Sequence, residues 1–395
     1  MLVTTQQFVK AASHPRFLLH QTTLDLRRSA FLQLKPVRYS MSTPEAIRTI
    51  VEQLVEPFTG RTLASLHMLE SVSVEGDQIT VDIQLPTPAF PDRQGLSDRI
   101  QEACSSSLGP DQTLRTMFTS RVVGKDSGGR IGLNIHNIIA VGSGKGGVGK
   151  STVAASLACG LHSYGCRVGL MDADVYGPSI PHMMSASGRP GAAESVDAEG
   201  NKLMRMEPID VDGLKLMSMG FFIEEGQSVV WRGPMLHKAL TQFLKDTQWG
   251  ELDYLVIDLP PGTGDVSLTL AQQVGLAGAV IVCTPQQVAL LDAIKAVDMY
   301  QKVNVPVLGF IENMSGDIFG RGGTRKVAEE LKIPFLGDIP MDACIREYSD
   351  RGEIMRMLTE ENPARDALRG VCEQTAMRIV EQIASKPSGP VLEIL

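Results

Sequence analysis

Ten consecutive residues carry the most specific chemistry in the chain: Gly142-Ser143-Gly144-Lys145-Gly146-Gly147-Val148-Gly149-Lys150-Ser151. Within them 144–151 read G-x-x-x-x-G-K-S, and Thr152 follows. Glycines at this spacing let backbone N–H groups converge on phosphate oxygens, while Lys150 reaches the β- and γ-phosphates and the Ser151 hydroxyl ligates Mg²⁺. The apolar run 138–141 supplies the strand such a loop must follow. The stretch 152–161 supplies the helix whose positive end faces the same anion. The expected ligand is a nucleoside triphosphate with its Mg²⁺.

A plain phosphate loop has no need of a second lysine, and Lys145 is one. Two acidic stations lie downstream. Asp172 and Asp174 close the apolar run 168–171, and Asp258 closes 254–257 and leads into Leu259-Pro260-Pro261-Gly262. Carboxylates at the C-terminal ends of parallel strands face the ligand crevice, where they hold Mg²⁺ and orient a water. Any one of the three, taken alone, could be a helix cap. Their occurrence together with Lys145 favours the catalytic reading.

The elements that must position these groups follow from the patterning. Apolar strand-length runs recur at 138–142, 166–172, 253–258, 278–283 and 305–311, separated by helix-length segments. Strands that apolar are buried on both faces. The fold class expected is therefore α/β: a mostly parallel P-loop sheet covered by helices on both faces, over 137–387, with a tail at 388–395. A small α+β domain precedes it at 41–123. There a helix over 44–56 carries Ile47, Ile50, Val51, Leu54 and Val55, and a hairpin joins 68–74 to 78–85 through Glu75-Gly76-Asp77. A helix with Leu96, Ile100, Ala103 and Cys104 follows, and 112–123 add a strand. Residues 124–136 form a Gly-rich linker. A further helix with Met235, Leu236, Ala239, Leu240, Phe243 and Leu244 is amphipathic and is expected to pack on the core.

Composition narrows the function classes. The 395 residues hold 45 acidic and 37 basic side chains, a formal charge of −8, and only 5% aromatics. This argues against non-specific attraction to nucleic acid or anionic membrane. No uninterrupted apolar window is long enough to span a bilayer, so a soluble protein is expected. Six bases (Lys10, Arg16, Arg27, Arg28, Lys35, Arg38) against Asp25 make 1–40 a basic extension, read either as a transit peptide or as an upstream start before Met41. The compartment expected is cytoplasmic, or mitochondrial (or another organelle) if 1–40 is a transit peptide. The six cysteines form no Cys-x-x-Cys pair, which fits a reducing compartment without disulfides. The seven histidines are scattered and include no H-x-x-x-H pair for zinc.

Lys-Gly-Gly-Val-Gly-Lys-Ser at 145–151 resembles the deviant Walker A loop of the MinD/ParA/ArsA class. Asp172-Ala173-Asp174-Val175-Tyr176-Gly177-Pro178-Ser179, Trp231-Arg232-Gly233-Pro234, Asp258-Leu259-Pro260-Pro261-Gly262-Thr263-Gly264-Asp265 and Glu312-Asn313-Met314-Ser315 resemble, more narrowly, the Mrp/ApbC-type iron–sulfur cluster carrier ATPases. The resemblance covers about 137–385, and 44–122 is similar to the small domain often fused in front of them. It implies a homodimer with ATP at the interface and apo iron–sulfur proteins or assembly factors as partners. It further implies that Asp174 positions the attacking water, Asp258 joins the Mg²⁺ shell, Asn313 lies near the base, and Lys145 reaches the partner subunit's nucleotide.

Two departures from that pattern bear on the cluster. The Cys-x-x-Cys that usually follows Asn-Met-Ser and bridges the dimer with a 4Fe–4S cluster is replaced by Gly316-Asp317-Ile318-Phe319-Gly320. In the front domain's Thr87-Pro88-Ala89-Phe90-Pro91 loop, Phe90 stands where cysteine often does. Cluster iron requires soft thiolates, and Cys283 and Cys344 are the remaining single-cysteine candidates. Three functions stay open: an ATPase that carries a cluster, the same ATPase dimer as a nucleotide switch or adaptor without its own cluster, and a MinD/ParA-like positioning ATPase.

Overall fold

The computed structural model describes residues 43–124, 133–175, 177–196, 202–222, 233–262, 264, 270 and 273–385. The basic extension 1–40, linker residues 125–132, the 388–395 tail, Tyr176, Trp231, Arg232, Thr263 and Asp265 lie outside the described residues.

The front part consists of helix α1 (Pro44–Gln53), short strands β1 (Val55–Glu56) and β2 (Arg61–Thr62), strands β3 (Leu69–Glu75) and β4 (Gln78–Leu85), helix α2 (Arg93–Cys104) and strand β5 (Thr113–Ser120). Thr43 caps α1 by accepting from Ala46 N, with Pro44 in the first turn. The helix stops at Gln53, short of the 56 expected. Leu54 turns extended, and Val55, 51% exposed, pairs with Thr62 instead of joining the apolar face. β4 lies in the middle, antiparallel to β3 and parallel to β5. Its alternate residues Ile79, Val81, Ile83 and Leu85 are buried with Ile47, Val51, Leu96 and Ile100, the period of two that a one-sided sheet requires.

The larger part runs through β6 (Ile135–Ser143), α3 (Lys150–Ser163), β7 (Val168–Asp172), α4 (Ile180–Met183), β8 (Gly191–Val196), β9 (Lys202–Glu207), β10 (Ile209–Val211) and β11 (Leu214–Ser218). Then come α5 (Gly233–Asp246), β12 (Leu252–Asp258), β13 (Leu276–Cys283), α6 (Gln287–Lys302), β14 (Val307–Ser315), α7 (Gly323–Leu331), β15 (Phe335–Pro340), α8 (Ala343–Asp350), α9 (Ile354–Thr359) and α10 (Arg365–Ser385). One eight-stranded sheet has the order β10-β11-β7-β12-β6-β13-β14-β15, parallel except at the β10–β11 edge.

The five apolar runs are the centre of this sheet. Along β12, Tyr254 and Val256 face a core with α3, α9 and α10, while Leu255 and Ile257 face one with α5, α6 and α7. Burial on both sides is why these strands read as continuous apolar runs. The outer strands β10, β11 and β15 carry Asp210, Lys215 and Asp338 and lack that signal. In α5, Leu240, Phe243 and Leu244 are buried as expected, but Met235 is exposed.

The front part is seated on the larger one. Phe90 shares a buried cluster with Met377 and Val380 of α10, and the hydroxyls of Thr87 and Tyr254 lie 3.2 Å apart. Asn137 Nδ2 donates to Val123 O at 3.0 Å. These contacts lie at the N-terminal ends of β6 and β12, the end of the sheet opposite the glycine loop.

Candidate functional site

The glycine loop leaves the C-terminal end of β6 and enters α3 at Lys150. Gly147 and Gly149 both stand at φ +79°, left-handed backbone that favours glycine, and Gly149 is the N-cap of α3. Gly144 is required for a different reason: a Cβ there would lie 2.1 Å from the backbone carbon of Asp292 in α6. Ser143 Oγ donates to Lys145 O at 2.9 Å and holds the turn. The loop encloses a cradle of about 230 Å³, lined by Lys145, Gly146, Lys150, Ser151, Asp174 and Pro261 among others.

Lys150 is the centre of the charge arrangement. Its buried Nζ lies 2.6 Å from Asp258 Oδ1, 3.4 Å from Asp174 Oδ2 and 3.3 Å from Ser151 Oγ. Burial raises the Asp258 carboxyl above the usual range, opposed by the Lys150 charge and by hydrogen bonds from Lys150 and Ser151. Asp258 Oδ2 is buried and has no hydrogen-bond partner among the described residues. An orphaned carboxylate oxygen beside a serine hydroxyl fits the donor set of Mg²⁺, which takes one or two protein oxygens together with phosphate oxygens.

Asp172 differs from the crevice-facing role expected of it. Although its register partner is Asp258 on the adjacent strand, it is fully buried and turned into the fold. Its Oδ1 accepts from Asp174 N at 3.1 Å, and its Oδ2 accepts from Ile180 N at 3.4 Å and Ser218 Oγ at 2.9 Å. Burial, then the Asp258 charge, push its carboxyl up to about 7. Lys145, half-buried, lines the cradle, and none of the ion pairs among the described residues engages it.

Asn313 is brought to the loop by an irregularity. β14 runs on through Ser315, beyond the 311 expected, and its register to β15 shifts between Glu312 and Ser315, where Met314 takes φ +57°. Asn313 Nδ2 donates to Val148 O at 2.9 Å. The same side chain borders a second cavity, about 440 Å³, with Met341, Asp342, Ile345 and Arg346. The two cavities share Gly149, Thr152 and Ser179. Glu312, beside Asn313, is structural: its two oxygens accept from Gly322 N at 2.7 Å and Thr324 N at 2.8 Å, tying down the start of α7. Reading along the sequence missed both this cap and Ser218, since neither belongs to a local motif of phosphate chemistry.

The thiols do not gather. Cys283, at the end of β13, is buried, donates to Thr284 O, and is pushed up to about 12 by burial. Cys344, in the first turn of α8, is half-buried and pushed up to about 11, again chiefly by burial. All six cysteines are free, and among the described residues no three His, Cys, Asp or Glu side chains form a metal cluster. Where the cysteine pair is absent, Gly316 and Gly320 exchange backbone hydrogen bonds of 2.8 and 2.9 Å across a closed turn, with Ile318 78% exposed at its tip. These thiols do not fit as ligands of a resident iron–sulfur cluster.

The family profile of ParA, described as NUBPL iron-transfer P-loop NTPase, matches residues 134–376. The chain belongs to this family. Residues 44–113 match a second profile, that of an iron–sulfur cluster assembly protein. The chain is 44% identical to the iron–sulfur cluster carrier protein of Deinococcus radiodurans, over 85% of this chain and 95% of that protein. It is 48% identical to the iron–sulfur cluster transfer protein NUBPL of Dictyostelium discoideum, over 58% of this chain and 72% of that protein. It is also similar to a solved nucleotide-binding protein in complex with ADP from Archaeoglobus fulgidus, at 38% identity over 59% of this chain and 91% of that one, with a TM-score of 0.49. No helix among the described residues is long and apolar enough to cross a membrane.

Proposed function

We propose that this chain binds ATP in the 144–152 loop, hydrolyses it slowly as a homodimer, and uses that cycle in transferring iron–sulfur clusters to apo-proteins. The observation that carries the nucleotide reading is the buried Lys150 ammonium, held between Asp258 and Asp174 at the mouth of a glycine loop on a helix N-terminus. In this reading the backbone of 144–149 and the start of α3 cradle the phosphates, and Lys150 exchanges its carboxylate partners for β- and γ-oxygens. Ser151 and Asp258 hold Mg²⁺, which when bound neutralises charge on the phosphate oxygens. Asp174 orients the attacking water, and Lys145 reaches across a two-fold interface to a partner's phosphates. Asn313 steadies the loop at Val148, and the adjoining cavity of about 440 Å³ accommodates the base.

Similarity to proteins named as cluster carriers supports a cluster as cargo. The acidic balance of the chain gives no support to a nucleic-acid or membrane partner. The compartment we assign is the cytoplasm, with an organelle as the alternative if 1–40 act as a transit sequence.

The protonated, scattered thiols favour a second reading, in which the dimer is a nucleotide-driven switch or adaptor with no cluster of its own. Anaerobic reconstitution with iron and sulfide separates the two. Absorbance near roughly 400 nm should stay far below one 4Fe–4S cluster per dimer, or bleach readily with a chelator. A stable, stoichiometric cluster overturns the second reading, and Cys283→Ala and Cys344→Ala then locate its ligands.

A further inference from the structure

We infer that Ser218 is a positioning residue for hydrolysis, setting the place of Asp174 through Asp172 and tying it to the turn at 219–222. Ser218 ends β11 and is fully buried. Its Oγ donates to Asp172 Oδ2 at 2.9 Å and accepts from Gly220 N at 2.9 Å. The other oxygen of Asp172 holds the backbone N–H of Asp174 at 3.1 Å. Two hydrogen bonds therefore separate the 219–222 turn from Asp172, and one more reaches the residue assigned to the attacking water. A second contact runs beside this chain. Gly220 sits so close to the loop carrying Asp174 that a Cβ would lie 3.2 Å from Pro178 Cβ and 3.3 Å from Ser218 Oγ.

The turn also forms a wall of an apolar groove. Met219 and Phe222 line a cavity of about 400 Å³ with Met204, Met206 and Phe243. In this inference the turn's placement bears on Asp174 through the hydrogen bonds of Ser218 and Asp172.

The inference rests on Asp174 being the water-positioning residue, so Asp174→Asn is measured beside it. Ser218→Ala should lower kcat for ATP hydrolysis by about tenfold, the scale of one buried hydrogen bond, and leave KM and ADP affinity unchanged. Gly220→Ala, which keeps the hydroxyl but crowds Pro178, should lower kcat in the same selective way. It serves as the test if Ser218→Ala does not fold. If Asp174→Asn stalls while both variants turn over at the parent rate, the relay is overturned and the Asp174 assignment stands. Loss of kcat, KM and ADP affinity together would make Ser218 structural and also overturn it. Normal hydrolysis by Asp174→Asn overturns both readings.

Discussion

At the scale of single residues, the two loop lysines are in opposite circumstances. Lys150 is buried and already held by two carboxylates, so in the absence of phosphate its charge is balanced within the chain. Lys145 lines the cradle from its rim. Removing Lys150 leaves phosphate charge unneutralised and also leaves Asp258 buried without its counter-ion. Lys150→Ala should therefore lose ATP binding as measured by calorimetry. Lys145→Ala should still bind ATP but lose hydrolysis by on the order of 10³-fold, together with ATP-dependent dimer tightening, as a cation supplied in trans would. Asp174→Asn should keep the ATP-bound dimer and stall. Light scattering with ATP beside phosphate release reads all three, and parent-rate hydrolysis by Lys145→Ala would reduce that lysine to a solvated loop charge.

At the scale of elements, the end of β14 divides its labour between neighbours. The bulge at Met314 lets Asn313 reach Val148 O, while Glu312 points the other way to take the first N–H groups of α7. A carboxylate there satisfies two orphan donors and suits the positive helix end. Glu312→Gln keeps the shape but turns one acceptor into a donor facing an N–H. It should cost about 1–3 kcal/mol in a denaturant titration, with ATP affinity preserved. Asn313→Ala should do the reverse, weakening nucleotide binding with a smaller loss of stability. An unchanged unfolding midpoint for Glu312→Gln would show that α7 does not depend on this cap.

At the scale of the whole molecule, the front domain and the phosphate cradle occupy opposite ends of one sheet. The front domain's Thr87-Pro88-Ala89-Phe90-Pro91 loop is spent on docking: Phe90 is buried with Met377 and Val380, and Thr87 meets Tyr254. Truncating a buried aromatic side chain leaves a cavity, so Phe90→Ala should destabilise the protein by about 3–5 kcal/mol. Because none of the residues in the buried cluster of Phe90 lines the cradle, kcat of the folded variant should stay at the parent value. Urea unfolding and phosphate release on the same preparation check this, and a fall in kcat with stability intact would mean the two ends communicate.

How much of this was legible beforehand depends on distance along the chain. The phosphate loop is a local device: its glycines, Lys150 and Ser151 act within ten residues, so their spacing alone announced the chemistry. The central strands were equally plain, because burial on both faces leaves an unbroken apolar run. Asp172 and Asp258 look alike in sequence, each closing an apolar strand. Only the pairing of β7 between β11 and β12 decides that one meets Ser218 and the other meets Lys150. The reach of Asn313 and the seating of the front domain on α10 are likewise set by residues a hundred or more positions away. Strand order and side-chain direction are properties of non-local pairing, which no window of sequence contains.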